Sequence, residues 1–437
     1  MSVAPARRAA YTVIRRVFEQ GAFADRALHT AAAELDGRDR ALAMTLAYGT
    51  VQRMRTLDHL LAGFVSRPLA QLEPPVLAAL RLGLFQLVFL GGVSDYAAVN
   101  ESVELAKRES RGGAQLVNAV LRRAAREAPR RLAQLDHGTA ERAAVLHSVP
   151  DWLAQMWWQE LGPEPARALL ASVNAPAESA VRVNTLKAAA AEVQSALAAS
   201  GPPVTADPAP AWEGRPGLPE LPEVLVLDGP FDAFGSELFG DGALMPQSRA
   251  SAVVARVLAP RPGERVLDLC AAPGAKTTHL AALMGGEGEL VAVEVHAGRA
   301  RALADTCRRM GAGHARVVQA DAREFSEARP FDRVLVDPPC SGLGTLQSRP
   351  DLRWQPRRGQ IAELAAGQAQ LLRAGAAQLR PGGTLVYSVC TVSREEGDGV
   401  IDRFLTERPA FMLERRWQLL PSSDGTDGFY IALLRNA

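Results

Sequence analysis

Residues 331–342 read Phe-Asp-Arg-Val-Leu-Val-Asp-Pro-Pro-Cys-Ser-Gly. Phe331 to Val336 has the short apolar run of a buried strand, and the two prolines stop it. The turn after it brings together Asp337, two rigid prolines and the Cys340 thiol. A second strand-like run, Gly383 to Val389, ends in a second thiol, Cys390, in the stretch Tyr387-Ser388-Val389-Cys390-Thr391. Two cysteines at the ends of two strands mark the place to look for chemistry.

Working outward, strand-like runs at Arg265–Cys270, Glu289–Val295 and Ala315–Ala320 precede this pair. Helical segments fall between the runs, at Thr277–Met284, Arg299–Met310 and Ile361–Leu379. Alternation of this kind predicts an α/β, Rossmann-like domain over 246–437, a parallel doubly wound sheet with helices on both faces. A last run, Gly428–Leu434, is expected to pair at the sheet edge. In such sheets ligands bind beyond the carboxyl ends of the strands, where the strand order reverses. The chemistry-bearing residues sit at those ends.

Residues 1–145 read as all-helical. Ala10, Val13, Ile14, Val17 and Phe18 recur at helical spacing, as do Leu77, Leu80, Leu84, Leu87 and Val88, and then Leu116, Val117, Val120, Leu121 and Ala124. Pro74-Pro75 suits the first turn of the second of these helices. The polar side carries Arg108, Arg111, Arg122, Arg123, Arg126, Arg130 and Arg131. A solvated face explains that stretch, and so do phosphate contacts in a protein that handles RNA. Residues 146–245 change character. A helical piece opens with Pro150, Trp152, Trp157 and Trp158. A strand at Val181–Thr185, an alanine-rich helix at Ala188–Ala199, a Pro/Gly-rich loop from Gly201 to Pro222 and a strand at Val224–Leu227 then suggest a small α+β module.

The chain of 437 residues is long enough for several domains at ~100–200 residues each, and 48% of it is hydrophobic. A formal net charge of +1 gives no global field for nucleic acid, so such a partner would use local basic patches. The four cysteines, Cys270, Cys307, Cys340 and Cys390, form no CxxC pair; no metal site is expected. No stretch approaches the ~18 apolar residues of a membrane span. A cytoplasmic protein with reduced thiols and no membrane partner is the expectation.

Cys270-Ala271-Ala272-Pro273-Gly274-Ala275-Lys276-Thr277 joins the first strand to its helix. Its small residues let backbone approach a ligand, but it is neither a Walker A loop nor a GxGxxG fingerprint. Glu294 ends the second strand, placed for ribose hydroxyls, and Asp321 ends the third, where it could accept from an adenine amino group. With Asp337 these acids describe a site for an adenosine ligand without phosphates, which points to S-adenosylmethionine. Cys340 stands where an amino-group methyltransferase would carry an aromatic ring, which points away from amino-group methylation and toward a ring carbon. Carbon 5 of cytosine becomes nucleophilic when a thiolate adds to carbon 6 and a group stabilises charge at ring nitrogen 3; a base must then release the product. Cys390, Asp337 and Cys340 can supply those roles. Ser393-Arg394-Glu395-Glu396 reads as a capping box opening a helix, whose N-terminus would help to lower the Cys390 pKa.

On CAAPGAKT (270–277), DPPCSGLGT (337–345), RPDLRW (349–354) and YSVCT (387–391) the chain resembles the Nol1/Nop2/Sun family of RNA 5-methylcytosine methyltransferases. The N-terminal part, with Tyr96-Ala97-Ala98-Val99-Asn100-Glu101 and Asn118-Ala119-Val120-Leu121-Arg122-Arg123, looks like the NusB-type RNA-binding fold fused to the branch that acts on small-subunit (16S) ribosomal RNA. The resemblance implies a ferredoxin-like middle module and a cofactor site of Cys270, Ala271, Ala272, Pro273, Gly274, Ala275, Lys276, Glu294, Asp321 and Asp337. It also implies Cys390 as nucleophile, Cys340 as the release group, Arg182 and Asn184 touching RNA or bracing the site, RNA contacts from Arg122 and Arg123, and a monomer. Ala275 departs from the family's usual second glycine without removing a reacting group.

Overall fold

The computed structural model describes residues 3–110, 112–199, 204–229 and 231–437, so Arg111 and Gly201 lie outside the described residues. The chain divides into two compact units, one of residues up to Ala175 together with Leu346–Pro356, the other of Pro176–Thr345 and Arg357–Ala437.

The first unit is helical. Val13, Ile14, Leu80, Leu84, Val117 and Leu121 are buried in one apolar core, as their spacing requires. Pro74 begins the helix Pro74–Phe89, where a missing N–H costs nothing. Asp36 caps Gly37–Gln52 by accepting from Asp39 N at 2.8 Å. Gly49 is needed where the chain packs on Phe85, since a Cβ there would fall 2.1 Å from the ring. The RPDLRW stretch belongs to this unit. Arg353 is fully buried and donates to the carbonyls of Gln52, Ser148, Val173 and Leu346 and to Asn174 Oδ1, while Trp354 Nε1 donates to Val51 O at 2.8 Å. These bonds explain why 346–356 groups with the helices although its flanks belong to the other unit.

The second unit contains two sheets. Its strands are β1 (Ala180–Val183), β2 (Thr205–Pro208), β3 (Val224–Asp228), β4 (Leu244–Pro246), β5 (Arg265–Leu269), β6 (Glu289–Glu294), β7 (Ala315–Gln319), β8 (Phe331–Val336), β9 (Leu379–Val389), β10 (Phe411–Leu419) and β11 (Phe429–Asn436). The small sheet has the order β2-β3-β1-β4 and is antiparallel. β2 occupies part of the stretch expected to be loop. The large sheet has the order β10-β11-β9-β8-β5-β6-β7, parallel from β7 through β9. The final strand is not the edge. β11 lies between β9 and β10, and β10, whose outward residues include Glu414, Arg415 and Arg416, takes the rim. Charges of this kind suit an edge strand.

Order reverses between β5 and β8. From β5 the chain runs outward to β6 and β7 and returns to β8 on the other side. A crevice therefore opens beyond the carboxyl ends of β5 and β8, which is where the Cys270 turn and Asp337 are found.

Candidate active site

β5 delivers its last residues, Asp268 and Leu269, into the turn that starts the helix Ala275–Leu283. Cys270 has φ 62° and Gly274 φ 106°; the glycine serves a left-handed position, and its missing side chain admits Leu303 and Thr306 from the next helix. Lys276, in the first turn of that helix, reaches across the crevice to Asp337 Oδ2 at 2.8 Å and lies over the Phe429 ring. Asp337 Oδ1 accepts from Ser388 Oγ at 2.7 Å, so β5, β8 and β9 are tied at their ends by one hydrogen-bonded row. Burial pulls the Lys276 pKa down, but Asp337 more than offsets this and the ammonium ends above its ordinary value.

Beyond Asp337 the two cysteines meet. Cys340 Sγ and Cys390 Sγ are 3.2 Å apart, both thiols free. The hydrogen bond to Cys390 raises the Cys340 pKa well above the ordinary thiol value, and burial and Glu396 add to it. The same bond lowers that of Cys390, against the effect of burial, with Lys276 helping and Asp337 opposing. Either sulfur can donate to the other; Cys340 is faced by the carboxylate Glu396, and Cys390 by Asp337 and, against it, the Lys276 ammonium. The loop carrying Cys340 is closed on the Cys390 strand: Gly344 N donates to Cys390 O at 3.1 Å, and a Cβ on Gly344 would fall 1.8 Å from Gly428 O.

The expected cap is absent. The helix after Cys390 spans Asp398–Glu407 with Gly397 at its N-cap, so Ser393 and Glu396 do not box its first turn. Glu396 instead accepts from Ser341, Thr391 and Gln368. The shift at Cys390 therefore comes from Cys340 and Lys276, not from a helix terminus.

Of the three strand-end acids, Glu294 is buried and accepts from His296 N at 3.0 Å, with Arg299 3.3 Å from its other oxygen. Asp321 is held by Arg323 through its side chain and backbone, which pulls its pKa to about 2. Burial pushes the Cys270 thiol up to about 12, so it stays protonated and inert. Asp268 lies inside the apolar run of β5, where no sequence pattern marks it. It is buried, accepts from Thr277 Oγ1 at 2.6 Å, and has Oδ1 unpartnered; burial raises its pKa to about 7.

Of the two roles expected for Arg182 and Asn184, touching RNA or bracing the site, their place inside the fold suits the second. Both are fully buried. Arg182 donates to Gln247 Oε1 at 2.8 Å, Thr278 Oγ1 at 2.9 Å and Ala275 O at 3.3 Å, while Asn184 Nδ2 donates to Gly242 O at 2.8 Å and Met310 O at 2.7 Å. They brace the small sheet against the helices that follow β5 and β6. Arg122 and Arg123 are exposed on the helix Gly113–Leu132, paired only with Asn118 and Glu127 of the same helix among the hydrogen bonds described. Among the described residues no helix is long and apolar enough to cross a membrane, and no three His, Cys, Asp or Glu side chains are grouped to hold a metal ion.

Fold and site together define a class, a Rossmann-like methyltransferase with a ferredoxin-like module ahead of it and a NusB-type helical domain at its N-terminus. The comparisons with known proteins agree. The model described as 16S rRNA methyltransferase RsmB/F matches residues 255–435, the NusB family model residues 4–126, and a Methyltr_RsmF/B-like, ferredoxin-like domain residues 149–211. The probable ribosomal RNA small subunit methyltransferase B of Bacillus subtilis (strain 168) is 35% identical over 423 residues, 92% of each chain. The ribosomal RNA small subunit methyltransferase B of Thermus thermophilus is 38% identical, over 91% of this chain and 89% of that one. The chain belongs to the ribosomal RNA small subunit methyltransferase B family. Among solved structures, PH0851 superposes with a TM-score of 0.82 at 29% identity over 99% of both chains. NSun6 from Pyrococcus horikoshii with SFG gives 0.57 at 25% identity, over 67% of this chain and 99% of that one.

Proposed function

We propose that the protein methylates carbon 5 of a cytosine in small-subunit ribosomal RNA, with Cys390 as the attacking thiol, Cys340 as the release group and S-adenosylmethionine as methyl donor. The observation that carries the reading is the pair of sulfurs 3.2 Å apart, with the Lys276–Asp337–Ser388 row beside it. The residues fit an adenosyl ligand. The Cys270–Lys276 turn is built of small residues, Glu294 stands at the end of β6 for ribose hydroxyls, and the one cation in the turn, Lys276, is already engaged by Asp337 rather than free for phosphates. Asp268 Oδ1, buried beneath the turn without a protein partner, leaves an acceptor for a bound donor. S-adenosylmethionine, when bound there, supplies an electrophilic methyl group.

The chain's own groups do the rest. The Cys390 thiolate bonds to carbon 6 of a base turned out of its stack, which costs a few kcal/mol and least in looped RNA. Asp337, supplied by Lys276, delivers a proton toward ring nitrogen 3 and so makes carbon 5 nucleophilic. On release the sulfur–carbon bond breaks with its electron pair returning to Cys390. Ring nitrogen 3 gives its proton back to Asp337, and the carbon-5 proton leaves by way of Cys340 to solvent. Arg122 and Arg123 are the exposed cations we assign to RNA phosphates.

The test is a pair of variants assayed with small-subunit RNA and labelled methyl donor. Cys390→Ala should show no methyl transfer, and Cys340→Ala should accumulate a protein–RNA adduct. Full turnover by the Cys390→Ala protein would overturn the assignment.

A further inference from the structure

Glu396 has no exposed surface. Its Oε1 accepts from Ser341 N at 2.8 Å and Gln368 Nε2 at 3.0 Å; its Oε2 accepts from Ser341 Oγ at 2.5 Å and Thr391 Oγ1 at 3.2 Å. Every donor stands next to the cysteine pair. Ser341 follows Cys340, Thr391 follows Cys390, and the Gln368 amide that reaches Glu396 also donates to Pro339 O at 2.9 Å, just before Cys340. Ser341 Oγ and Thr391 Oγ1 are themselves 2.7 Å apart, and Tyr387 OH fixes the backbone of Glu396 by donating to its carbonyl at 2.7 Å. A buried carboxylate must have its hydrogen bonds met, and this one draws them from both cysteine loops and from the helix Arg358–Ala377 that packs beneath.

The charges around the two sulfurs are unequal. Cys340 faces the Glu396 carboxylate; Cys390 faces the Asp337 and Asp427 carboxylates, which the Lys276 ammonium opposes. We propose that Glu396 is a positioning residue that clamps the two cysteine loops so that the sulfurs share one proton, and that its charge keeps this proton on Cys340, leaving Cys390 as the thiolate. Glu396 acts through its neighbours and does not touch the base. The inference rests on Cys390 being the attacker.

The full-length protein is alkylated with iodoacetamide over a pH series, and the midpoint for each cysteine is read by peptide mass spectrometry. The native protein should show a lower midpoint for Cys390 than for Cys340. Glu396→Gln should move the Cys340 midpoint down and shrink the Cys390 preference by about tenfold, one pKa unit. Glu396→Asp, which keeps the charge, should restore the order. An unchanged preference in a folded Glu396→Gln protein, checked by circular dichroism, overturns the proposal. Should that variant not fold, the native order decides, and a lower midpoint at Cys340 overturns it. The two readings fail separately. An inactive Cys390→Ala protein with an unmoved alkylation preference in Glu396→Gln rejects the clamp alone. An active Cys390→Ala protein with a moved preference rejects the attacker alone.

Discussion

Arg182 and Asn184, on and just after β1, and Cys340 and Cys390, just after β8 and β9, belong to the same unit and are equally conspicuous in the sequence. The first two are fully buried, and they donate to Gln247, Thr278, Ala275, Gly242 and Met310, while Arg182 Nη1 has no partner. The second two have their sulfurs partnered chiefly with each other, in a half-buried crevice at the reversal of strand order. Type and position along a strand are alike in the two cases; what differs is where the partners come from. Groups whose bonds are closed by the fold act on stability, and groups left facing one another at a crevice can act on a ligand.

Substitutions can break that contrast. Arg182→Ala should destabilise the second unit by about 2–4 kcal/mol in denaturant unfolding, because it removes a buried side chain and three bonds. RNA affinity of the folded fraction should not change. Asn184→Ala should cost about 1–3 kcal/mol through the carbonyls left unpaired, again without an effect on RNA. Asp268 sharpens the comparison, since like Arg182 it is buried with one polar atom unpartnered, yet it lies at the end of β5 beside the site. Burial raises its folded pKa to about 7, so its contribution to stability is full in acid, below the ordinary aspartate range, and is lost as pH rises through 7. Asp268→Asn should flatten this decline when unfolding midpoints are compared between acid and mildly alkaline buffer; an unchanged slope would count against the shift. Arg122→Ala combined with Arg123→Ala should have the smallest effect on stability, since both side chains are exposed. In filter binding it should weaken RNA affinity and lessen its salt dependence.

Much of the catalytic sheet is legible because its strands are apolar runs flanked by turn residues. The runs at Arg265–Cys270 and Phe331–Val336 match β5 and β8 nearly residue for residue. β10 escapes such a reading because an edge strand with Glu414, Arg415 and Arg416 facing outward has no apolar run to see. β2 is hidden by its Pro/Gly-rich surroundings. The Lys276–Asp337 pair and the cysteine pair are visible as motifs at strand ends, but Glu396 is not. Its partners lie at 341, 368 and 391, and only the fold brings them together. The local pattern Ser393-Arg394-Glu395-Glu396 even argued for a helix cap, although the helix begins at Asp398. Asp268 is concealed by the opposite effect, an acid inside a run that looks purely apolar.

The central claim concerns which of the two sulfurs attacks. Small-subunit RNA carrying 5-fluorocytosine at the target position, incubated with the intact protein and S-adenosylmethionine, blocks loss of the carbon-5 substituent and holds the covalent complex. Protease digestion and mass spectrometry then identify the linked peptide. The account predicts a single link at Cys390, and a link at Cys340 would contradict it.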